Sequence, residues 1–205
     1  SFLILEWIER GGKTPAAAEL LGRQLAALHR PPLPAFGLDR DNTLGTLPQP
    51  NTPRTSWMAF YRDQRLGVQR DLAARNGLLP AERARRLDRL MGSLDHWINE
   101  AAVWPALLHG DLWGGNWIVS ADGGPVLIDP AVYAGDREMD LAMASLFGGF
   151  PERFFAAYAE ALPLPPGAAE RQPLYQLYYL LCHLNLFGEG YGGPVDRILH
   201  GYAPH

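Results

Sequence analysis

The sequence contains little cysteine and almost no lysine. Its 205 residues include one cysteine, Cys182, and one lysine, Lys13, beside seventeen arginines. A single cysteine excludes a disulfide framework or a cysteine metal cluster within the chain, so we expect a cytoplasmic protein. Gln, His and Asn interrupt the apolar runs well before the length of about 18 residues at which a membrane helix is considered. No signal-peptide pattern opens the sequence, so neither membrane insertion nor secretion is predicted.

The charge pattern excludes another class of partner. The formal net charge of −4 comes from mixed charges without long runs of one sign. Nucleic-acid-binding proteins show a basic footprint instead, so we expect no nucleic-acid partner. Hydrophobic residues make up 47% of the chain, enough to bury a full core and form a soluble globular protein.

Most of the chain carries helical patterns. Thr14 followed by Pro15 predicts a helix start, and the apolar stripe that follows continues to a stop at Pro31-Pro32. Residues 31–54 mix Pro, Gly, Asn and Thr without periodicity, which predicts an extended surface loop. Further helices are predicted over residues 56–75, 80–101, 138–148, 151–162 and 171–187.

Strands are expected only in residues 1–8 and in a hairpin over residues 117–128. The hairpin prediction rests on two short apolar runs, Trp117–Val119 and Val126–Ile128, which are separated by Asp122-Gly123-Gly124. The predicted fold class is therefore α+β, mainly α-helical, with one small β-hairpin.

The hairpin register predicts a pair of metal ligands. If the strands pair symmetrically about residues 122 and 123, Asn116 stands opposite Asp129. Opposed side chains on neighbouring strands start roughly 5 Å apart, so both can reach one cation. An amide oxygen and a carboxylate suit Mg²⁺, which binds few protein ligands together with waters and phosphate oxygens. Asp and Asn also form turns routinely, which is the structural alternative.

Asp111 lies five residues before Asn116, in a turn flanked by glycine. A carboxylate there can orient a hydroxyl group and accept its proton during attack on a phosphate. We expect His109 to have a structural role, fixing the turn through a hydrogen bond.

The order and spacing of His109, Asp111, Asn116 and Asp129 match the kinase catalytic loop and its downstream Mg-binding aspartate. His-Gly-Asp and Ile-Asp-Pro are the forms found in aminoglycoside and choline kinase-like phosphotransferases, which this sequence resembles. More narrowly, the segments "LLHGDLWGGNW", "IDPAVYAGDREMDLAM" and "FGGFPERFFAAY" resemble the fructosamine kinase family, also called ketosamine-3-kinases. That resemblance implies a protein-kinase-like fold. It also implies ATP- and Mg²⁺-dependent phosphorylation of the sugar 3-hydroxyl of free or protein-bound ketosamines, a step in deglycation.

The resemblance also implies roles for individual residues. Asp111 matches the proton acceptor, and Asn116 and Asp129 match the ligands of Mg-ATP. Asp140 matches the aspartate that braces the backbone of the catalytic loop. The backbone of the segment Glu6, Trp7 and Ile8 matches the hinge that contacts adenine.

Two further residues are candidates for binding the acceptor. Trp113 offers an aromatic face beside the base that can stack on a sugar. His183 can bond the sugar hydroxyls from the helix opposite, although a histidine in an aromatic stripe is more often a satisfied core residue.

A kinase of this type has an N-terminal lobe with a phosphate-covering loop and a lysine that holds the α- and β-phosphates. Lys13 lies after the predicted hinge, where it cannot take that role. We therefore expect a single C-terminal lobe, with residues 1–13 as the hinge segment and 14–205 as the helical lobe, that has little activity by itself. The sequence "GGKT" at 11–14 is not a P-loop, because Trp7 stands where that motif requires glycine.

Three alternatives remain open at this point. The first is an aminoglycoside or choline kinase, with the same chemistry on another acceptor. The second is a binding or scaffolding module without catalytic ability. The third is a metal-dependent hydrolase that uses His109 and Asp111 and binds zinc tightly.

Overall fold

The computed structural model describes residues 5–202. The strand predicted for residues 1–8 lies partly outside this range, and the described residues from 5 to 9 form no strand. Instead, Arg10 makes an isolated antiparallel bridge with Ser120.

The first helix begins and ends as predicted. Thr14 is its N-cap, with the hydroxyl oxygen accepting the N–H of Ala17 at 3.1 Å, and Pro15 occupies the first helical position. The predicted helix 80–101 is shorter, ending as an α-helix at Met91 and continuing as two 3₁₀ turns. The α-helices are α1 (Pro15–His29), α2 (Trp57–Phe60), α3 (Val68–Arg75), α4 (Ala81–Met91), α5 (Glu138–Leu146), α6 (Glu152–Ala161), α7 (Ala168–Phe187) and α8 (Gly192–Tyr202).

Helices α2 and α3 are joined by a π-helical segment, Tyr61–Gly67, so the predicted helix 56–75 is continuous but widened in its middle. Its side chains Trp57 and Tyr61 are fully buried, and their rings stack with centroids 5.5 Å apart. None of the helices in residues 5–202 combines the length and apolar character needed to cross a bilayer.

Short strands form three antiparallel pairs, of which the sequence predicted one. Each strand has three residues, which is too short for an alternating pattern to be recognised. The prediction that strands occur only in residues 1–8 and 117–128 is therefore wrong, and residues 31–54 contain a hairpin of their own. The strands are β1 (Asn42–Leu44), β2 (Leu47–Gln49), β3 (Ala106–Leu108), β4 (Trp117–Val119), β5 (Pro125–Leu127) and β6 (Tyr133–Gly135), paired as β1-β2, β3-β6 and β4-β5.

The register of the β4-β5 hairpin differs from the prediction by one residue. Trp117 pairs with Leu127, so Asn116 stands opposite Ile128 and not opposite Asp129. The reason is the loop, which has three residues closed by the pair Ser120 and Gly124. A three-residue loop requires a left-handed third position, which Gly123 supplies with φ +90°.

Two hydrophobic clusters make up the core. The larger one packs the aromatic side chains of α2 and the π-helix against the tyrosines of α7. The smaller one packs α1 against α6 and the hairpin. Residues 109–116 connect β3 to β4, between Leu108 of the larger cluster and Trp117 of the smaller one.

Candidate active site

The loop that carries Asp111 begins with a close approach of two backbone segments. Gly110 has φ +82°, and a Cβ at this position would overlap the carbonyl oxygen of Ala131. The amide of Ala131 in turn donates to the carbonyl of His109 at 2.9 Å. Only glycine allows both the left-handed conformation and this proximity.

Asp140 braces the same loop from the first turn of α5. Its two carboxylate oxygens accept the backbone N–H groups of His109 and Gly110 at 2.8 and 2.9 Å. Oδ2 also lies 3.2 Å from Nε2 of His29, and both side chains are fully buried. Burial by itself raises the pKa of Asp140, but the hydrogen bond with His29 and that from the amide of Gly110 lower it below its usual value.

Sequence reasoning did not single out His29, although a signal was present. Leu21, Leu25 and His29 recur every four residues, which places the histidine on the buried face of α1. A buried polar side chain requires hydrogen-bond partners. Besides Asp140, His29 has Tyr158, whose hydroxyl lies 2.9 Å from Nδ1.

The His109 ring fixes the turn around Asp111. Nε2 donates to the carbonyl of Ile128 at 3.0 Å, and Nδ1 accepts the amide N–H of Asp111 at 3.3 Å. A carbonyl can only accept, so the proton is on Nε2. Both ring nitrogens are thereby engaged in hydrogen bonds that hold the turn.

Asn116 joins the two aspartates through its side-chain amide. Nδ2 donates to the backbone carbonyl of Asp111 at 2.9 Å, to its Oδ2 at 3.2 Å and to the carbonyl of Asp129 at 3.4 Å. The shifted hairpin register therefore does not separate these residues. Asp129 follows β5 in the left-handed region, with φ +54°, and this bend returns the chain toward Asn116.

The pKa of Asp111 reflects its burial and the nearby carboxylate of Asp129. Burial raises the pKa of Asp111, and the negative charge of Asp129 raises it further, while the hydrogen bond from Asn116 lowers it. Crowded carboxylates of this kind favour a cation between or beside them.

The donor atoms available here fit Mg²⁺. Because Nδ2 of Asn116 is turned toward Asp111, its Oδ1 is the amide atom that remains for a cation, beside the exposed carboxylate of Asp129. These are hard oxygen ligands. Within residues 5–202 no group of three or more His, Cys, Asp or Glu side chains is arranged to hold a metal ion.

Asp111 also lines a pocket of about 410 Å³. Trp113 and His183 line the same pocket, so all three of these predicted residues are brought together. The Trp113 ring lies against the backbone at Gly115, where any Cβ would overlap it. Nδ1 of His183 donates to the carbonyl of Tyr179 at 2.8 Å, which fixes the ring on the helix α7.

The predicted hinge residues lie elsewhere. Glu6 and Trp7 are exposed, Ile8 is half-buried, and none of the three lines the pocket of Asp111. The following segment pairs with the turn end of the β4-β5 hairpin, where the amide of Gly11 donates to Val119 at 2.8 Å. Asn116 and Asp129 lie at the opposite, open end.

Lys13 connects this segment to the catalytic loop. Nζ donates to the carbonyl of Gly114 at 2.8 Å and lies 4.2 Å from the centre of the Trp117 ring. Burial lowers its pKa, and the neighbouring charge of Arg10 acts in the same direction. The only lysine of the sequence is thus engaged with a backbone carbonyl.

Comparison with known proteins agrees with this geometry. The family model described as fructosamine kinase matches residues 1–203. The chain belongs to the fructosamine kinase family. It is 48% identical over 201 residues to a "probable ketoamine kinase" from Lactiplantibacillus plantarum, covering 98% of this chain and 71% of that protein. It is 39% identical to the chloroplastic protein-ribulosamine 3-kinase of Arabidopsis thaliana, with 98% and 62% covered.

Solved structures show the same relationship. A protein from Thermobifida fusca YX-ER1 described as a fructosamine-3-kinase superposes with a TM-score of 0.90 at 41% identity, covering 96% of this chain and 68% of that one. The choline kinase LicA from Streptococcus pneumoniae superposes with a TM-score of 0.61 at 16% identity, covering 93% and 64%, which shows a shared fold.

These findings confirm the predicted family, the mainly helical α+β fold and the enzyme class, a phosphotransferase with an alcohol group as acceptor. They do not confirm that the chain is the C-terminal lobe alone, because the family model extends over almost all of it.

Proposed function

We propose that the protein transfers the γ-phosphoryl group of ATP to the 3-hydroxyl of a ketosamine. The observation that carries this proposal is the position of Asp111, which is bonded to Asn116 on one side and lines the 410 Å³ pocket on the other. A base at such a boundary can reach an acceptor hydroxyl and a bound phosphate together. The names of the relatives, ketoamine kinase and protein-ribulosamine 3-kinase, support the acceptor class.

Asp111 acts as the base in this mechanism. It orients the sugar hydroxyl and accepts its proton as the new O–P bond forms and the bond to the β-phosphate breaks, releasing ADP. Burial raises its pKa, which makes the carboxylate a stronger proton acceptor than an exposed aspartate. The brace from Asp140 and the His109 bond to Ile128 hold the loop, so little reorganisation is needed during the transfer.

Asn116, through Oδ1, and Asp129 would hold Mg²⁺. When bound, the metal neutralises charge on the transferred phosphate. The hydrogen bonds from Asn116 to Asp111 and to the Asp129 carbonyl keep these ligands adjacent to the base. Glu6, Trp7 and Ile8 are proposed to contact adenine through their backbone.

Trp113 and His183 are proposed to bind the sugar. The exposed Trp113 face stacks on it, since apolar sugar faces pack on aromatic rings. Nε2 of His183 can accept one hydrogen bond from the bound acceptor molecule, because its Nδ1 already donates to Tyr179.

We propose that residues 14–205 form the lobe that carries the catalytic loop and acceptor pocket, and that residues 1–13 form the hinge segment. The lysine that pairs with the α- and β-phosphates in kinase-like enzymes cannot be Lys13, whose Nζ is bonded to Gly114. Phosphoryl transfer by these 205 residues alone is therefore expected to be slow.

The test compares ATP turnover by the native protein on a ribulosamine or fructosamine adduct, an aminoglycoside and choline. Turnover of the ketosamine is expected to fall about 10²- to 10⁴-fold in Asp111→Asn, with an unchanged melting temperature. Turnover of choline or an aminoglycoside alone would overturn the acceptor assignment. Full activity in Asp111→Asn would overturn the role of the base.

A further inference from the structure

The outer wall of the acceptor pocket is a group of aromatic rings around His183, which we call the aromatic cage. It consists of Phe147, Phe187 and Tyr191, whose ring centres lie 4.5, 5.5 and 5.1 Å from that of His183. All four side chains line the same pocket as Asp111.

Two of the three rings of the cage are exposed, and the third, Tyr191, is half-buried. Phe187 is 66% and Phe147 41% accessible to solvent. They come from different elements: Phe147 follows α5, Phe187 ends α7, and Tyr191 lies in the 3₁₀ turn after it. Exposed aromatic rings that two different elements bring to the mouth of one pocket are typical of a binding surface.

The hydrogen-bonding state of His183 favours a ligand that donates. Its Nδ1 carries the proton that bonds to Tyr179, so Nε2 presents a lone pair. Burial lowers the pKa of His183, which keeps the ring neutral near neutral pH. A neutral ring does not repel a cation.

The charges of the residues that line the pocket also favour a cationic ligand. Of the described residues that line it, none is an arginine or a lysine, and the ionised group is the carboxylate of Asp111. Aromatic faces attract ammonium groups within about 6 Å of the ring centre. A purely apolar ligand would leave the lone pair of His183 without a donor, which costs free energy.

We propose that the aromatic cage binds the protonated amine nitrogen of the acceptor. This inference rests on the proposed function, because a ketosamine carries its amine on C1, two carbons from the hydroxyl-bearing C3. One pocket therefore receives both groups, with the hydroxyl at Asp111 and the ammonium among the rings, where an N–H donates to Nε2 of His183. The cage thus selects sugars that carry a basic amine over neutral sugars.

The experiment measures equilibrium binding to the 205-residue chain by calorimetry, with two ligands of the same sugar. One is a 1-alkylamino ketosamine, and the other is its N-acyl analogue, whose amide nitrogen is uncharged. The amine is expected to bind at least about tenfold more tightly. Tyr191→Leu and Phe187→Leu should each reduce this ratio about 3- to 10-fold. Tyr191→Phe, which keeps the ring, should retain it.

Equal affinities for the two ligands, or a ratio that Tyr191→Leu does not change, would overturn the cage. Ketosamine phosphorylation by the native protein is measured in parallel. Phosphorylation of the ketosamine without selective binding of the amine would overturn the aromatic cage and leave the proposed function standing. Selective binding of the amine without phosphorylation by the native protein would overturn the proposed function and leave the cage standing. Binding of neither ligand would overturn both.

Discussion

Asp140 and His29 form a buried pair that holds the catalytic loop, with Oδ2 of Asp140 3.2 Å from Nε2 of His29. The same carboxylate accepts hydrogen bonds from the backbone N–H groups of His109 and Gly110. His29, the last residue of α1, therefore helps to fix the position of Asp111, which lies directly after Gly110.

Replacing His29 by leucine should destabilise the protein by about 2–4 kcal/mol, because the buried carboxylate of Asp140 loses a charged or donating partner. Chemical denaturation measures the change in the free energy of unfolding. Tyr158→Phe is the matched control: it removes only the hydroxyl 2.9 Å from Nδ1 of His29 and should cost about 1 kcal/mol. Equal losses in the two variants would contradict the role of the pair.

Gly110→Ala should be far more damaging than Gly123→Ala. Both glycines are left-handed, with φ +82° and +90°, so both variants carry the backbone strain of about 1 kcal/mol. Only at Gly110 would the new Cβ overlap a backbone atom, the carbonyl oxygen of Ala131, whereas at Gly123 it meets no described atom within 4 Å. Melting temperatures of the two variants provide the measurement, and similar shifts would contradict the close approach.

Asp136 should make stability depend on pH. Burial and the charge of Glu138 raise its pKa to about 6 from 3.8, although the hydrogen bond from Tyr175 opposes them. A raised folded-state pKa stabilises the protein below the unfolded value, and this contribution is lost as pH rises from about 4 to 6. In Asp136→Asn the free energy of unfolding should therefore fall less over that window, as urea titrations at several pH values would show. An identical pH dependence in the variant would contradict the assignment.

Asp111 should set the acidic limb of the pH–rate profile. Burial and Asp129 raise its pKa above that of an ordinary aspartate, so activity as a base should be lost at a higher pH than for an exposed carboxylate. Asp129→Asn removes one raising charge and should move the limb to lower pH in whatever activity remains. An acidic limb that shifts to higher pH in Asp129→Asn would show that a group other than Asp111 sets it.

Arg83 should support the acceptor pocket from a distance. It is 2% exposed and holds Glu189, the first residue of the turn that carries Tyr191, through hydrogen bonds of 2.7 and 3.0 Å. Arg83→Met should weaken ketosamine binding severalfold by loosening this turn, as measured by calorimetry. Arg70→Met breaks an exposed ion pair with Asp88 and is the control expected to leave binding unchanged. Equal weakening of ketosamine binding in Arg83→Met and Arg70→Met would contradict the role of Arg83 in holding the turn that carries Tyr191.

The parts of the site that are local in sequence could be predicted. Asp111, Trp113 and Asn116 belong to one loop, so their order alone places them together, and the cap at Thr14 was recognisable for the same reason. The hairpin register could not be predicted, because two-residue and three-residue loops are both compatible with Asp122-Gly123-Gly124.

Contacts between distant segments were not readable from local patterns. His29 reaches Asp140 across 111 positions, and strands β3 and β6 pair across the whole catalytic loop. Three-residue strands carry no periodicity of their own, so tertiary packing decides where they form. The aromatic cage was missed because its rings come from separate elements rather than from one helical stripe.

Gly11 and Lys13 attach the segment before α1 to the β4-β5 hairpin and to the loop that precedes it. Gly11 bonds to Val119 at the end of β4, and Lys13 bonds to Gly114, which lies in the loop that precedes this strand and carries Asn116. These two bonds lie on either side of Asn116 in the sequence, so residues 11–13 are held against both the loop that carries Asn116 and the strand that follows it.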